Sequence, residues 1–183
     1  ADETRVCDLF LPLAYAEGQG LPWDDLWAPL ASALSGREYG DADVHWLLEH
    51  AGAFVLESVE RGRSVYRLYH QALADTLRRD RVEAEIDAVF VATLIASVPQ
   101  HATSGAPDWL RASPYVKTHL AAHAVRGGGL AELVRQPAYL LAADAPRLTQ
   151  ALARTQCERT VASMYRACVH RLRRDPPDVA VSY

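Results

Sequence analysis

The 183-residue sequence predicts a mainly α-helical chain built in two parts. Three observations carry that expectation. Apolar residues recur at helical spacing over most of the chain, beginning with Val6, Leu9, Phe10, Leu13 and Ala14. Alternating β-rich runs stand together in one place, Phe54 to Val59 and Ser64 to Tyr69, on either side of "ERGR". From Arg81 onward the pattern is helical throughout, broken by clusters of small and turn-forming residues.

The elements of the first part follow in order. "TRVCDLFLPLAYAEG" predicts a helix stopped near Gly18 and Gly20. "LPWDDLWAPLASALSG" predicts a second, shorter helix, with Pro22 in its first turn and Gly36 at its end. "DADVHWLLEHAGAF" predicts a third, capped by Asp41 or Asp43 and followed by Gly52. Gly62 then turns a hairpin. "SVYRLYHQALADTLRR", residues 64–79, starts as its second strand and ends as a helix bearing Leu73, Ala74 and Leu77 on one face. Three helices, a hairpin and a helix are the order of a winged helix, the helix-turn-helix variant whose hairpin is the wing. This domain is expected over residues 1–79.

Residues 80–183 predict helices only. They are "RVEAEIDAVFVATLIASV", "SPYVKTHLAAHAVRGGG", "LAELVRQPAYLLAA" broken at Pro137, "APRLTQALART" and "CERTVASMYRACVHRLRR", with "HATSGAPDW" as a loop. Short amphipathic helices with tight connections predict an α-helical array, tetratricopeptide-like or superhelical. No repeat has a fixed period.

Composition limits the functional classes. No apolar run approaches the roughly 18 residues of a membrane span, and "ADETRVCDLF" lacks the basic start of a signal peptide. Three cysteines, Cys7, Cys157 and Cys168, with no CxxC, predict free buried thiols in a reducing cytoplasm rather than a disulfide framework or a zinc site. No Met stands near residue 1, and "DPPDVAVSY" resembles a loop followed by the start of an unfinished element, so the chain is expected to be a segment of a longer protein. Charge is uneven. Residues 1–60 hold 12 acidic residues and 2 arginines, whereas residues 101–183 hold 11 basic and 6 acidic ones, which fits either different partners at the two ends or chance variation on solvated faces.

Candidate sites are few. No GxxxxGK[ST] occurs, and "RGGG" at 126–129 is a helix stop, so this chain is expected to be non-catalytic and to hold no nucleotide alone. "HLAAH" sets His119 and His123 one turn apart, but residue 120 is Leu where a zinc protease has Glu, and structural or surface histidines are expected. A winged helix that binds nucleic acid needs a basic third helix. Here that helix carries Asp41, Asp43 and Glu49 with no Arg or Lys, and only the wing offers Arg61, Arg63 and Arg67. Trp23, Trp27 and Trp46 suit a core, or a docking face for a neighbouring domain. His70 stands where strand becomes helix. On spacing alone it is a partly buried residue that caps or braces the helix start.

"HWLLEHAGAFVLESVERGRSVYRLYHQALADTLRR", residues 45–79, resembles the end of the winged-helix domain of STAND ATPases, the signal-transduction NTPases that include NB-ARC and NACHT proteins. The family's Met-His-Asp motif corresponds to Tyr69, His70 and Gln71, followed by Leu73, Ala74 and Leu77; Gln71 departs from the usual Asp. "PYVKTHLAAHAVRGGGLAELVRQPAYLLAADAPRL" is similar to the helical arm of actinobacterial STAND proteins. The resemblance implies a regulatory segment. An upstream domain would hold ADP or ATP with Mg, His70 would contact the ADP β-phosphate and latch the resting state, and exchange to ATP would release the winged helix for homo-oligomerisation. A repeat domain would follow downstream. The alternatives are a winged-helix nucleic-acid-binding regulator and a plain helical scaffold.

Overall fold

The computed structural model describes residues 2–155 and 163–167. The described chain is mainly helical, with one small antiparallel sheet. It divides into two compact units, residues 1–93 and 94–183, and the division falls inside a helix downstream of the boundary expected near residue 79.

The first unit contains α1 (Asp2–Tyr15), β1 (Leu21–Pro22), α2 (Trp27–Ser35), α3 (Asp41–Ala51), β2 (Val55–Glu60), β3 (Arg63–Leu68), α4 (Gln71–Arg78) and most of α5 (Glu83–Ala96). Its core is the apolar stripe of α1, Leu9, Phe10, Leu13 and Ala14, with Trp27 and Leu30 of α2, Val44 and Leu47 of α3, and Val65 and Leu68 of β3. Cys7 is exposed on the polar side of α1, contrary to the buried thiol expected.

Pro22 lies outside α2. Leu21 and Pro22 form a two-residue strand opposite Tyr66 and Val65, giving the sheet order β1-β3-β2. Proline lacks the N–H that a central strand must donate, so an edge is where it fits. Leu21 is fully buried, which draws this segment onto the core instead of into a helix. Gly20 sets up the strand. Its φ is +139°, and a Cβ there would lie 2.4 Å from the Tyr66 carbonyl oxygen. Only glycine permits so close an approach to β3.

β2 and β3 pair from Val55–Leu68 to Glu60–Arg63, leaving Arg61 and Gly62 as the turn. Both have positive φ, +51° and +77°, the mirror-image turn whose twist matches a hairpin. At α3 the cap is Gly40, and the Asp43 carboxylate accepts from the Gly40 N–H at 2.8 Å. α4 packs on α1 and is fastened to its C-terminal end. The Arg78 guanidinium donates to the Ala14 carbonyl from Nε at 2.8 Å and from Nη2, and lies 5.4 Å from the Tyr15 ring centroid. That oxygen belongs to the last turn of α1, where carbonyls lack helical partners and the helix dipole favours a cation.

The second unit contains α6 (Pro114–Gly127), α7 (Leu130–Val134), α8 (Pro137–Ala142) and α9 (Ala145–Ala153). Ser113 accepts from Val116 N–H at the start of α6, and Asp144 from Arg147 N–H at the start of α9. Pro137 opens α8, so the interruption expected at this proline is a boundary between two helices. α6 packs along α9, and its buried face includes Tyr115, Val116, Leu120 and Ala124. Trp109 and Tyr139 meet edge to face at 4.9 Å, and Trp109 Nε1 donates to Gln136 at 2.9 Å. Of the last helix expected, residues 163–167 are helical, while Cys157, Cys168 and the segment "DPPDVAVSY" lie outside the described residues.

Candidate functional site

His70 is the N-cap residue of α4, with extended backbone at φ −101° and ψ 122°. The strand ends one residue earlier, where Tyr69 N–H donates to the Phe54 carbonyl at 2.7 Å. The helix begins when Leu73 and Ala74 N–H groups turn back to the His70 carbonyl at 3.1 and 3.4 Å. The backbone of His70 is therefore held from both sides. Its side chain is not: the imidazole is exposed and makes no capping hydrogen bond. This corrects the expectation of a partly buried capping ring. The Tyr69 ring stands edge-on to it at 4.4 Å. Gln71 does not turn back to His70; its amide donates to Asp75 Oδ1 at 2.8 Å, one turn along α4.

The histidines of "HLAAH" are buried in α6, with His119 2% and His123 0% exposed. His123 Nε2 lies 3.3 Å from the Tyr115 hydroxyl, and its Nδ1 3.4 Å from Arg126 Nη2. A guanidinium has only donors, so Nδ1 accepts, and Nε2 carries the proton donated to Tyr115. Among the described residues no group of three His, Cys, Asp or Glu side chains is placed to hold a metal ion. "RGGG" is where α6 ends, with Gly128 and Gly129 at φ +85° and +91° linking it to α7. Among the described residues no helix is long and apolar enough to cross a membrane.

The tryptophans separate. Trp27 is fully buried and donates from Nε1 to the Leu9 carbonyl at 2.7 Å, which makes it a core residue. Trp46 is half-buried beneath the Arg5 guanidinium, 3.9 Å from the ring centroid, and stacks on His50 at 4.7 Å. Trp23 is half-buried and lines an open groove between α3 and the hairpin, of about 560 Å³.

Sequence reasoning did not find that groove. Trp23 and Tyr66 meet edge to face at 6.0 Å, and Leu48 and Val55 add apolar lining. Two carboxylates complete it, Glu49 beside His45 at 3.3 Å and Glu57 beside Tyr66, its partner across the hairpin. Burial first, and the nearby Glu57 charge second, push the Tyr66 phenol up from its ordinary value. The local signal was the Glu57–Tyr66 pairing, which follows once the turn at Arg61-Gly62 fixes the register.

Comparison with family models, with curated proteins and with solved structures gives no match for this chain.

Proposed function

We propose that the chain is the non-catalytic regulatory middle of a STAND-type signal-transduction ATPase, of the NB-ARC and NACHT kind. Residues 1–79 are its winged helix and residues 80–183 its helical arm. The segment couples the nucleotide held upstream to conformational change and oligomerisation, with repeats downstream as its other partner.

The observation that carries this reading is the exposed imidazole of His70, which makes no capping hydrogen bond, on a fixed backbone at the start of α4. A helix start favours anions through its unpaired N–H groups and its dipole, and an imidazole N–H adds a donor for a phosphate oxygen. The element order α1-β1-α2-α3-β2-β3, with β3 central in the sheet, supports a winged helix with β2 and β3 as the wing. A latch needs a contact present in one state and absent in the other, and His70 to ADP is such a contact.

The test is the nucleotide retained through purification by a protein carrying this chain behind its nucleotide-binding domain. ADP is expected to stay with wild type. A hydrogen bond to a charged group contributes about 1.5–3 kcal/mol, so His70→Ala should weaken retention about tenfold to a hundredfold while circular dichroism stays unchanged. Nucleotide absent from both proteins, or retained equally by both, would sink the latch.

A further inference from the structure

We infer that the groove between α3 and the hairpin binds an arginine-bearing peptide segment of a partner protein. This inference does not rest on His70. The groove combines aromatic faces with carboxylates. Trp23 and Tyr66 supply rings whose faces attract cations, Glu57 supplies an opposite charge, and Glu49 supplies a second one that it shares with His45, 3.3 Å away in the same lining. A planar guanidinium can lie flat on such a ring while its edge pairs with a carboxylate through two parallel N–H bonds, a geometry that an ammonium lacks. Leu48 and Val55 suit the methylene stem that carries the guanidinium. The volume, about 560 Å³, is that of sites taking whole ligands, so it accommodates a side chain with its adjoining backbone.

Charge complementarity selects the occupant. Residues 1–60 hold 12 acidic residues and 2 arginines, and both arginines are engaged elsewhere, Arg5 with Asp43 at 2.5 Å and Arg37 with Asp8 at 2.6 Å. Among the described residues no arginine or lysine lines the groove, and the Arg63 guanidinium of β3 lies 4.0 Å from Asp24. An anionic partner meets repulsion here. A purely apolar segment would leave Glu49 and Glu57 to lose water without a counter-charge.

The test uses the whole chain and capped Gly-Arg, Gly-Lys, Gly-Gln and Gly-Leu repeat peptides of equal length. Binding is read by calorimetry and by the indole N–H resonance of Trp23. The Gly-Arg peptide should bind about tenfold or more tighter than the Gly-Gln and Gly-Leu peptides, ahead of the Gly-Lys peptide, and weaken as salt is added. Glu49→Gln with Glu57→Gln should weaken it about tenfold. Glu3→Gln with Glu38→Gln removes the same charge elsewhere and should leave it within about twofold. All four glutamates are exposed, so the fold should survive. Equal losses in the two double variants would assign binding to net charge and overturn the inference. So would equal binding of the Gly-Leu peptide, an indole shift that tracks protein concentration alone, or no response to the Gly-Arg peptide.

Discussion

The Tyr139 hydroxyl is buried without a hydrogen-bond partner among the described residues. The ring fills the space beside Trp109, so the hydroxyl goes inside with it. Burial, with Tyr165 adding to it, raises this phenol well above its ordinary range. The sign follows. A raised folded-state value favours the neutral form, so its contribution is complete below about pH 10, the unfolded value, and is lost as pH rises beyond it. Tyr139→Phe should leave stability near neutral pH unchanged or up to about 1 kcal/mol higher, and should reduce the loss at alkaline pH. Urea titrations on both sides of pH 10 check this, and a loss above about 1 kcal/mol at pH 7 would mean that the hydroxyl has a partner. Chemistry was legible at this scale where burial was not. The sequence marked His70 by its position, yet predicted it partly covered. It marked His119 and His123 as structural without separating core from surface. Burial depends on what distant segments lay over a side chain, and local spacing does not carry that.

Elements were legible wherever periodicity had room to register. Each of α1, α3, α5 and α6 spans about three to four turns and announced itself, as did the hairpin through its alternation and Gly62. β1 did not, because two residues cannot alternate visibly, and "LP" ahead of "WDDLW" is also how a helix begins. The fastening of α4 was equally hidden, since Arg78 acts 64 residues from its acceptor. Arg78→Met keeps much of the stem and removes both donors. It should cost about 1–2 kcal/mol, the lower part of the range for charge-assisted bonds because the guanidinium is partly in water. A shift in urea midpoint with unchanged slope would report this, and no shift would show the contact to be idle.

For the whole molecule, charge decides more than fold. Nucleic acid is the natural partner to consider for the winged helix proposed above. The exposed side of α3 offers Asp41, His45, Glu49 and His50, with Asp43 tied to Arg5. A phosphate backbone finds no lysine or arginine on that helix. In a gel-retardation assay at low salt, duplex DNA should remain unshifted across micromolar protein. Tight retardation that weakens with salt would reverse that reading. The acidic bias of the first 60 residues was plain from the sequence. Its concentration beside an aromatic groove was not, because Trp23, Glu49, Glu57 and Tyr66 come from four separate stretches of chain.

The meeting of Gly20 with Tyr66 has a consequence in heredity. Any change in the first two bases of a glycine codon that still encodes an amino acid brings in a side chain. Here even a methyl group would collide with a backbone that the hairpin holds in place. The codon is thus free to drift only at its third base, whereas Gly40, with open space around its Cβ position and φ −129°, can be replaced. Descendants of this chain that keep the sheet should be recognisable by one invariant glycine ahead of a buried leucine, after most of the surface has diverged.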